Sequence, residues 1–325
     1  MRIVFMGTPD FAARILGGML AADWNVAAAY TRPDSEAGRG LQVRPSAVKE
    51  LAQKSGLPLF QPRNFREQAD IDALRQLAPD FLVVASYGLI LPDAVLAIPK
   101  IAPLNLHASL LPRYRGAAPI QRAIEDSWRP GATTGISLMR MVREMDAGPV
   151  YATREVPLAG ATAPELTVRL AQAGSELLRD CLRDIASGKL LPTAQNEAQA
   201  TYAPRLTRAD GEIDWRKSAP EIDAFARAMN PWPGARTILA LGGKRLPVII
   251  RAGRPVELAA DFSGLVPGQI LNDKTGLVVV CGSGGYQIEL LQPEGRKVVS
   301  GRDFANGRRL PQGLAGAAEL AGLAD

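Results

Sequence analysis

The 325-residue chain has one histidine, two cysteines and few aromatic residues, which make up 6% of it. The single histidine, His107, confines imidazole chemistry to one position. Imidazole is the side chain whose unperturbed pKa lies near neutrality, where general acid–base catalysis works best. Cys181 and Cys281 lie far apart and outside any CxxC or Cys/His cluster. That spacing suggests no metal site and fits reduced, packed thiols in a cytoplasmic protein. No run approaches the roughly 18 apolar residues of a membrane helix. The opening MRIVFMGTPDF reads as a short strand and a turn, not as a signal peptide, so no membrane partner is expected. The GxGxxG fingerprint of dinucleotide binding is missing after the first strand, which disfavours a nicotinamide dehydrogenase. What remains is ordinary for a globular protein: 47% hydrophobic residues, 22% charged, and a net charge of +5, a weak pull toward polyanions.

Up to about residue 190 the sequence alternates two periods. Short β-rich runs at 2–6, 24–30, 81–86, 103–108 and 135–141 alternate with helical patterns at 11–21, 46–55, 66–77, 117–126 and 163–187. Strands alternating with helices argue for an α/β domain with a parallel sheet covered on both faces. FLVVAS, from Phe81, is a continuous apolar run suited to a central strand. Residues 191–205 are polar, hold a proline near each end and show no strong period, so a linker is expected there. From 206 to about 312, one helix at 219–229 precedes short strands separated by Gly- and Pro-containing turns, which suggests a small β-barrel or sandwich. The Ala/Gly-rich residues 313–325 are expected to form a flexible tail.

His107 lies in NLHASLLPRYRG, two residues after Asn105. On a strand, both side chains leave one face and offer a proton carrier and an amide donor to one centre. The plain alternative is a buried structural histidine. GTPDF at Gly7–Phe11 and SYGLILP at Ser86–Pro92 also follow strands, so both belong at the carboxyl edge of the sheet, where α/β folds bind ligands.

NLHASLLPRYRGAAPIQ resembles the signature of the folate-dependent formyltransferases, and MGTPDFA, SYGLILP and MDAGPV (Met145–Val150) follow the family's order. YAPRLTRADGEIDW (Tyr202–Trp215), NPWPGA (Asn230–Ala235) and FANGRRL (Phe304–Leu310) resemble the second domain of the members that act on methionyl-tRNA. The resemblance runs from Arg2 to about Leu310. It implies a Rossmann-like N-terminal domain (1–190) and an OB-like, tRNA-binding β-barrel (206–312). The implied reaction moves a formyl group from 10-formyltetrahydrofolate, used as co-substrate without a metal, to the α-amino group of initiator methionyl-tRNA. A monomer is expected.

The same resemblance implies a catalytic trio of Asn105, His107 and Asp146. An amide can hydrogen-bond the developing oxyanion, imidazole can carry protons, and a neighbouring carboxylate orients the imidazole. Ser109, Leu110, Leu111 and Pro112, with the backbone of Tyr87, Gly88, Leu89, Ile90 and Leu91, are implied to line the folate pocket. Arg39, with Arg32, Arg44 and Lys49 around the inserted loop at 31–46, is implied to meet the tRNA acceptor stem; a solvated loop is the plain alternative. The chain departs from the family pattern at Val142, Arg143 and Glu144 before Asp146, at Pro149 after it, and at Leu41, Gln42 and Val43 after AGRG. A formyltransferase of sugar-nucleotide amines and a catalytically silent RNA-binding protein are the rival readings. The basic inserted loop disfavours the first, and the intact Asn/His/Asp set disfavours the second.

Overall fold

The computed structural model describes residues 1–37, 42–258, 264–273, 276–311 and 313–319. Its elements begin with β1 (Ile3–Gly7), α1 (Asp10–Ala21), β2 (Val26–Tyr30), β3 (Ser35–Ala37), β4 (Gln42–Arg44), α2 (Ala47–Lys54), β5 (Leu59–Phe60) and α3 (Gln68–Gln76). They continue with β6 (Phe81–Ala85), α4 (Asp93–Leu96), β7 (Ala102–His107), β8 (Arg115–Gly116), α5 (Pro119–Glu125), β9 (Thr134–Arg140), β10 (Val150–Val156), α6 (Ala163–Ala186) and β11 (Tyr202–Ala203). Two compact units divide the chain: residues 1–119, 133–157 and 165–204 form the first, and 120–132, 158–164 and 205–325 the second.

The first unit is built on one sheet of order β10-β9-β7-β6-β1-β2-β5. The five strands from β7 to β5 run parallel; β9 is antiparallel to β7, and β10 to β9. This is the Rossmann-like α/β architecture. β1 and β6 are buried along their whole length, so side chains of both parities need cover. Val4, Met6, Leu82 and Val84 pack with Ile71 and Leu74 of α3 and Val95 of α4. Helix α1 buries Phe11, Ala12, Ile15, Leu16 and Met19, the i, i+4, i+8 stripe of an amphipathic helix. A Cβ on Gly174 of α6 would lie 3.2 Å from Ile136 and 3.7 Å from Ile15, so α6 covers β9 beside α1. Full burial of each large aliphatic side chain contributes about 1.5–3 kcal/mol.

In the second unit, α7 (Ala219–Met229) starts with a capping box: Ser218 N–H and Oγ–H both donate to Glu221. It is followed by β12 (Ala235–Leu241), β13 (Lys244–Val256), β14 (Gln269–Asp273), β15 (Gly276–Val280), β16 (Gly285–Pro293), β17 (Val299–Ser300), α8 (Gly301–Gly307) and β18 (Gly313–Ala318). Among the described residues the order β13-β12-β18-β14-β15-β16 closes on itself, because β13 also pairs with β16. The result is a closed barrel, and closure removes exposed sheet edges.

Two expectations need correction. Residues 313–318 are not a frayed tail: they form β18, which pairs with both β12 and β14 and is needed to close the ring. Residues 320–325 lie outside the described residues. Residues 191–204 do not run free as a linker. Thr193 bridges to Val150, and β11 pairs in parallel with β8, so this stretch belongs to the first unit.

Candidate active site

Strand β7 lies between β6 and β9, with Asn105 opposite Val84 and His107 opposite Ser137. Asn105 and His107 are two residues apart and leave the same face of β7 at its carboxyl end. His107 is 6% exposed. Its Nε2 lies 2.9 Å from the Tyr114 carbonyl oxygen. A carbonyl only accepts, so Nε2 carries a proton and, in the neutral ring, the lone pair lies on Nδ1. Nδ1 faces Asp146 Oδ1 at 3.6 Å. The side chain of Asn105, partly buried, makes no hydrogen bond among the described residues. Its amide N–H groups are therefore unspent among the described residues.

Asp146 occupies the left-handed region, with φ +53°, in the turn between β9 and β10. This conformation costs a non-glycine residue of order 1 kcal/mol and persists where its surroundings hold it. Gly116 N–H donates to Asp146 Oδ2 at 2.9 Å, and Gln195 Nε2 donates to the carbonyls of Asp146 and Gly148, both at 2.7 Å. Gly148 has no room for a side chain in this backbone, since a Cβ there would lie 1.9 Å from the Arg140 carbonyl oxygen.

The loop after His107 is pinned at several points. Ser109 Oγ donates to the Arg113 carbonyl at 2.5 Å. Ser137 Oγ donates to the Ser109 carbonyl at 2.7 Å and accepts from Leu111 N–H at 3.0 Å. Tyr114 N–H donates to Thr201 Oγ1 at 2.8 Å. Buried Arg115 grips both carboxylate oxygens of Glu197, at 2.8 and 2.7 Å, and its guanidinium holds that carboxyl below the usual range. Gln195, Glu197, Thr201 and Ser137 are the residues sequence reasoning missed. Gln195, Glu197 and Thr201 sit in the polar run read as a linker, and their signal was the polar residues themselves, which have no period.

The other expected site residues fall into distinct settings. Leu110, Leu111 and Pro112 are partly exposed, whereas Ser109 is fully buried and spends its hydroxyl within the loop. Tyr87 and Leu91 are buried in the core beside α3 and α4, with Leu89 packed against them. Burial pushes the Tyr87 hydroxyl's ionisation well above its ordinary value. The Tyr87 carbonyl accepts from Thr8 Oγ1 at 2.7 Å. Gly88 has φ +81°, and Ile90 is 84% exposed. Arg32 is exposed beside Gly88, and its guanidinium has no partner among the described residues. Arg44 is also exposed. Lys49 instead forms an ion pair with Asp34 at 2.6 Å, in which Gln61 also donates to the carboxylate. Arg39 lies outside the described residues, as does Leu41, while β3 and β4 form a small antiparallel hairpin on either side. Among the described residues no group of His, Cys, Asp and Glu could hold a metal ion, and no helix is long and apolar enough to cross a membrane.

Comparison with known proteins places this geometry in a family. Residues 1–182 match the family described as Formyl transferase, and residues 205–309 match Formyl transferase, C-terminal domain. A methionyl-tRNA formyltransferase of Desulfovibrio desulfuricans is 45% identical over 331 aligned positions, covering 98% of this chain and 96% of that protein. One of Pseudoalteromonas translucida is 40% identical, covering 95% and 94%. Among solved structures, an N-formyltransferase of Helicobacter canadensis in complex with folinic acid and dTDP-3-aminofucose shares the fold, with a TM-score of 0.62 at 15% identity and coverage of 90% and 98%. HypX of Aquifex aeolicus in complex with tetrahydrofolic acid also shares it, with a TM-score of 0.61 at 17% identity; the alignment covers 94% of this chain and about half (47%) of HypX. On the identity and coverage of these relatives, the chain belongs to the methionyl-tRNA formyltransferase family.

Proposed function

We propose that the chain transfers a formyl group from 10-formyltetrahydrofolate to the α-amino group of initiator methionyl-tRNA, with Asn105, His107 and Asp146 as its catalytic residues. One observation carries the assignment of residues: the only imidazole in the chain is buried at the carboxyl edge of the sheet with Nδ1 toward Asp146, next to an Asn amide that has no partner among the described residues.

The folate supplies the formyl carbon that the amine attacks. The Asn105 amide donates to the oxygen of that formyl group as charge develops on it, which is worth about 3–4 kcal/mol where such a donor is preorganised. His107 takes the proton the amine gives up. With Nε2–H fixed on the Tyr114 carbonyl, the incoming proton goes to Nδ1, where Asp146 lies opposite the charge that forms. The 3.6 Å gap shortens to a hydrogen bond once Nδ1 is protonated. The carbon–nitrogen bond to the folate breaks as the folate nitrogen takes that proton from His107, which returns the ring to its neutral form, and the tetrahydrofolate leaves.

The folate pocket is assigned to Ser109, Leu110, Leu111 and Pro112 on one side and the backbone of residues 87–91 on the other. Exposed Arg32 and Arg44, with Arg39, are assigned to the phosphates of the tRNA, and the barrel to the body of the tRNA. Lys49 acts there only if it leaves Asp34. A monomeric, cytoplasmic enzyme completes the reading. The test is transfer of label from formyl folate to charged initiator tRNA, with a dTDP-amino sugar as the alternative acceptor. Label on the tRNA is expected; label only on the sugar overturns the choice of acceptor, and label on neither overturns the reaction.

A further inference from the structure

Gln195 makes four hydrogen bonds with its one carboxamide. Its Nε2 donates to the carbonyls of Asp146 and Gly148, each at 2.7 Å. Its Oε1 accepts from Arg115, at 3.1 Å from Nε and 2.8 Å from Nη2. Arg115 is 3% exposed and is fixed from its far side by the bidentate grip on Glu197. The amide is therefore fixed in one orientation: the oxygen has a cation to face and the nitrogen has two carbonyls. Its two acceptors are the carbonyl of Asp146, the residue that holds φ +53°, and that of Gly148, two residues further on.

We propose that Gln195, backed by Arg115, is a positioning residue that holds Asp146 in its strained backbone conformation and so aims the carboxylate at His107. The proposal rests on the reading that Asp146 acts in catalysis. Without the Gln195 amide, two carbonyls lose a side-chain donor. The Asp146 backbone is then free to relax toward negative φ, which turns the carboxylate away from both Nδ1 of His107 and the Gly116 N–H. A displacement of about 1 Å in a catalytic group costs on the order of 100-fold in rate.

The experiment is a double-mutant cycle on the full chain, with formyl transfer read as kcat and KM for each substrate. Gln195→Leu removes donor and acceptor at similar size. Gln195→Glu keeps the acceptor for Arg115 but puts an oxygen where two carbonyls need a donor. Both variants are expected to lose roughly 10- to 100-fold in kcat with KM values within about threefold of wild type. In an Asp146→Ala background, Gln195→Leu is expected to add little further loss, because residues that act through one another are not additive. Additive losses would show that Gln195 works on something else and overturn the proposal, as would wild-type kcat in Gln195→Leu while Asp146→Ala is crippled. Full activity in Asp146→Ala would instead refute the catalytic reading beneath it.

A second readout is independent of rate. The chain has one histidine, so the ring nitrogens give one set of NMR signals. In Gln195→Leu these are expected to move in the direction seen for Asp146→Asn. Unmoved ring signals overturn the proposal, and so does failure of both Gln195 variants to fold, since that marks a structural role.

Discussion

The imidazole of His107 turns Nδ1 toward Asp146 Oδ1 at 3.6 Å while its Nε2 donates to the Tyr114 carbonyl. The carbonyl settles which nitrogen is already protonated, and the carboxylate settles where a second proton is welcome. Asp146→Asn can still accept from Gly116 N–H through its amide oxygen but no longer opposes the charge at Nδ1. It is expected to lower kcat by about 100-fold with folate binding retained, measured by steady-state transfer and by folate titration. A kcat within threefold of wild type would remove the carboxylate from the mechanism.

Gly148→Ala tests how tightly the Asp146 turn is built. The added Cβ would lie 1.9 Å from the Arg140 carbonyl oxygen, so the backbone must shift. Denaturant unfolding should show a loss of about 1–3 kcal/mol, and kcat should fall with it because Gly148 shares its anchor with Asp146. Unchanged stability would mean that the turn yields easily.

Exposed Arg32 should act on tRNA alone. Arg32→Ala is expected to raise KM for the tRNA, leave KM for the folate unchanged, and lower the slope of log affinity against log salt by about 1. Lys49→Ala should do less, because its ammonium is held by Asp34 at 2.6 Å. Binding titrations at several salt concentrations decide it; equal effects of the two variants would contradict the assignment.

Both thiols should be silent in the folded protein. Burial pushes the Cys281 thiol up to about 12 and raises that of Cys181 as well. At pH 8, neither should react quickly with a disulfide reagent, and both should react after denaturation. A fast native thiol would show that one of these segments opens readily.

Acid should weaken the second unit. Hydrogen bonds from the Thr207 hydroxyl and backbone, with Arg122 close by, hold the Asp210 carboxyl below the usual range; the Ser218 hydroxyl does the same for Glu221. A depressed carboxyl stabilises the fold above its ordinary value of about 4 and loses that contribution as pH falls through the lower, folded-state value. Asp210→Asn should therefore lower Tm at pH 7, and the gap from wild type should close toward pH 3. A gap that is constant with pH would assign the loss to packing.

Much of this was legible in the sequence because it rests on periodicity and on rare residues. The longer parallel strands of the first unit announced themselves as apolar runs, and a solitary histidine could hardly be overlooked. Asp10 is the first residue of α1, where its carboxylate pairs with Arg14 at 2.6 Å. β5 and β11 are two residues each, too short to show any period. β18, GLAGAA, carries the small residues that usually mark a loose end; it is a strand because two barrel neighbours supply its hydrogen bonds. The strap at 191–204 escaped for a related reason. Its order comes from long-range partners, Gln195 on Asp146 and Thr201 on Tyr114, and no local pattern records those.

The most direct measurement is single-turnover formyl transfer to charged initiator tRNA by His107→Ala, with substrates saturating so that binding drops out. A rate lower by about 100-fold or more is predicted, with tRNA and folate affinities unchanged. A rate near wild type would contradict the account, because the chain holds no second imidazole to take over the proton.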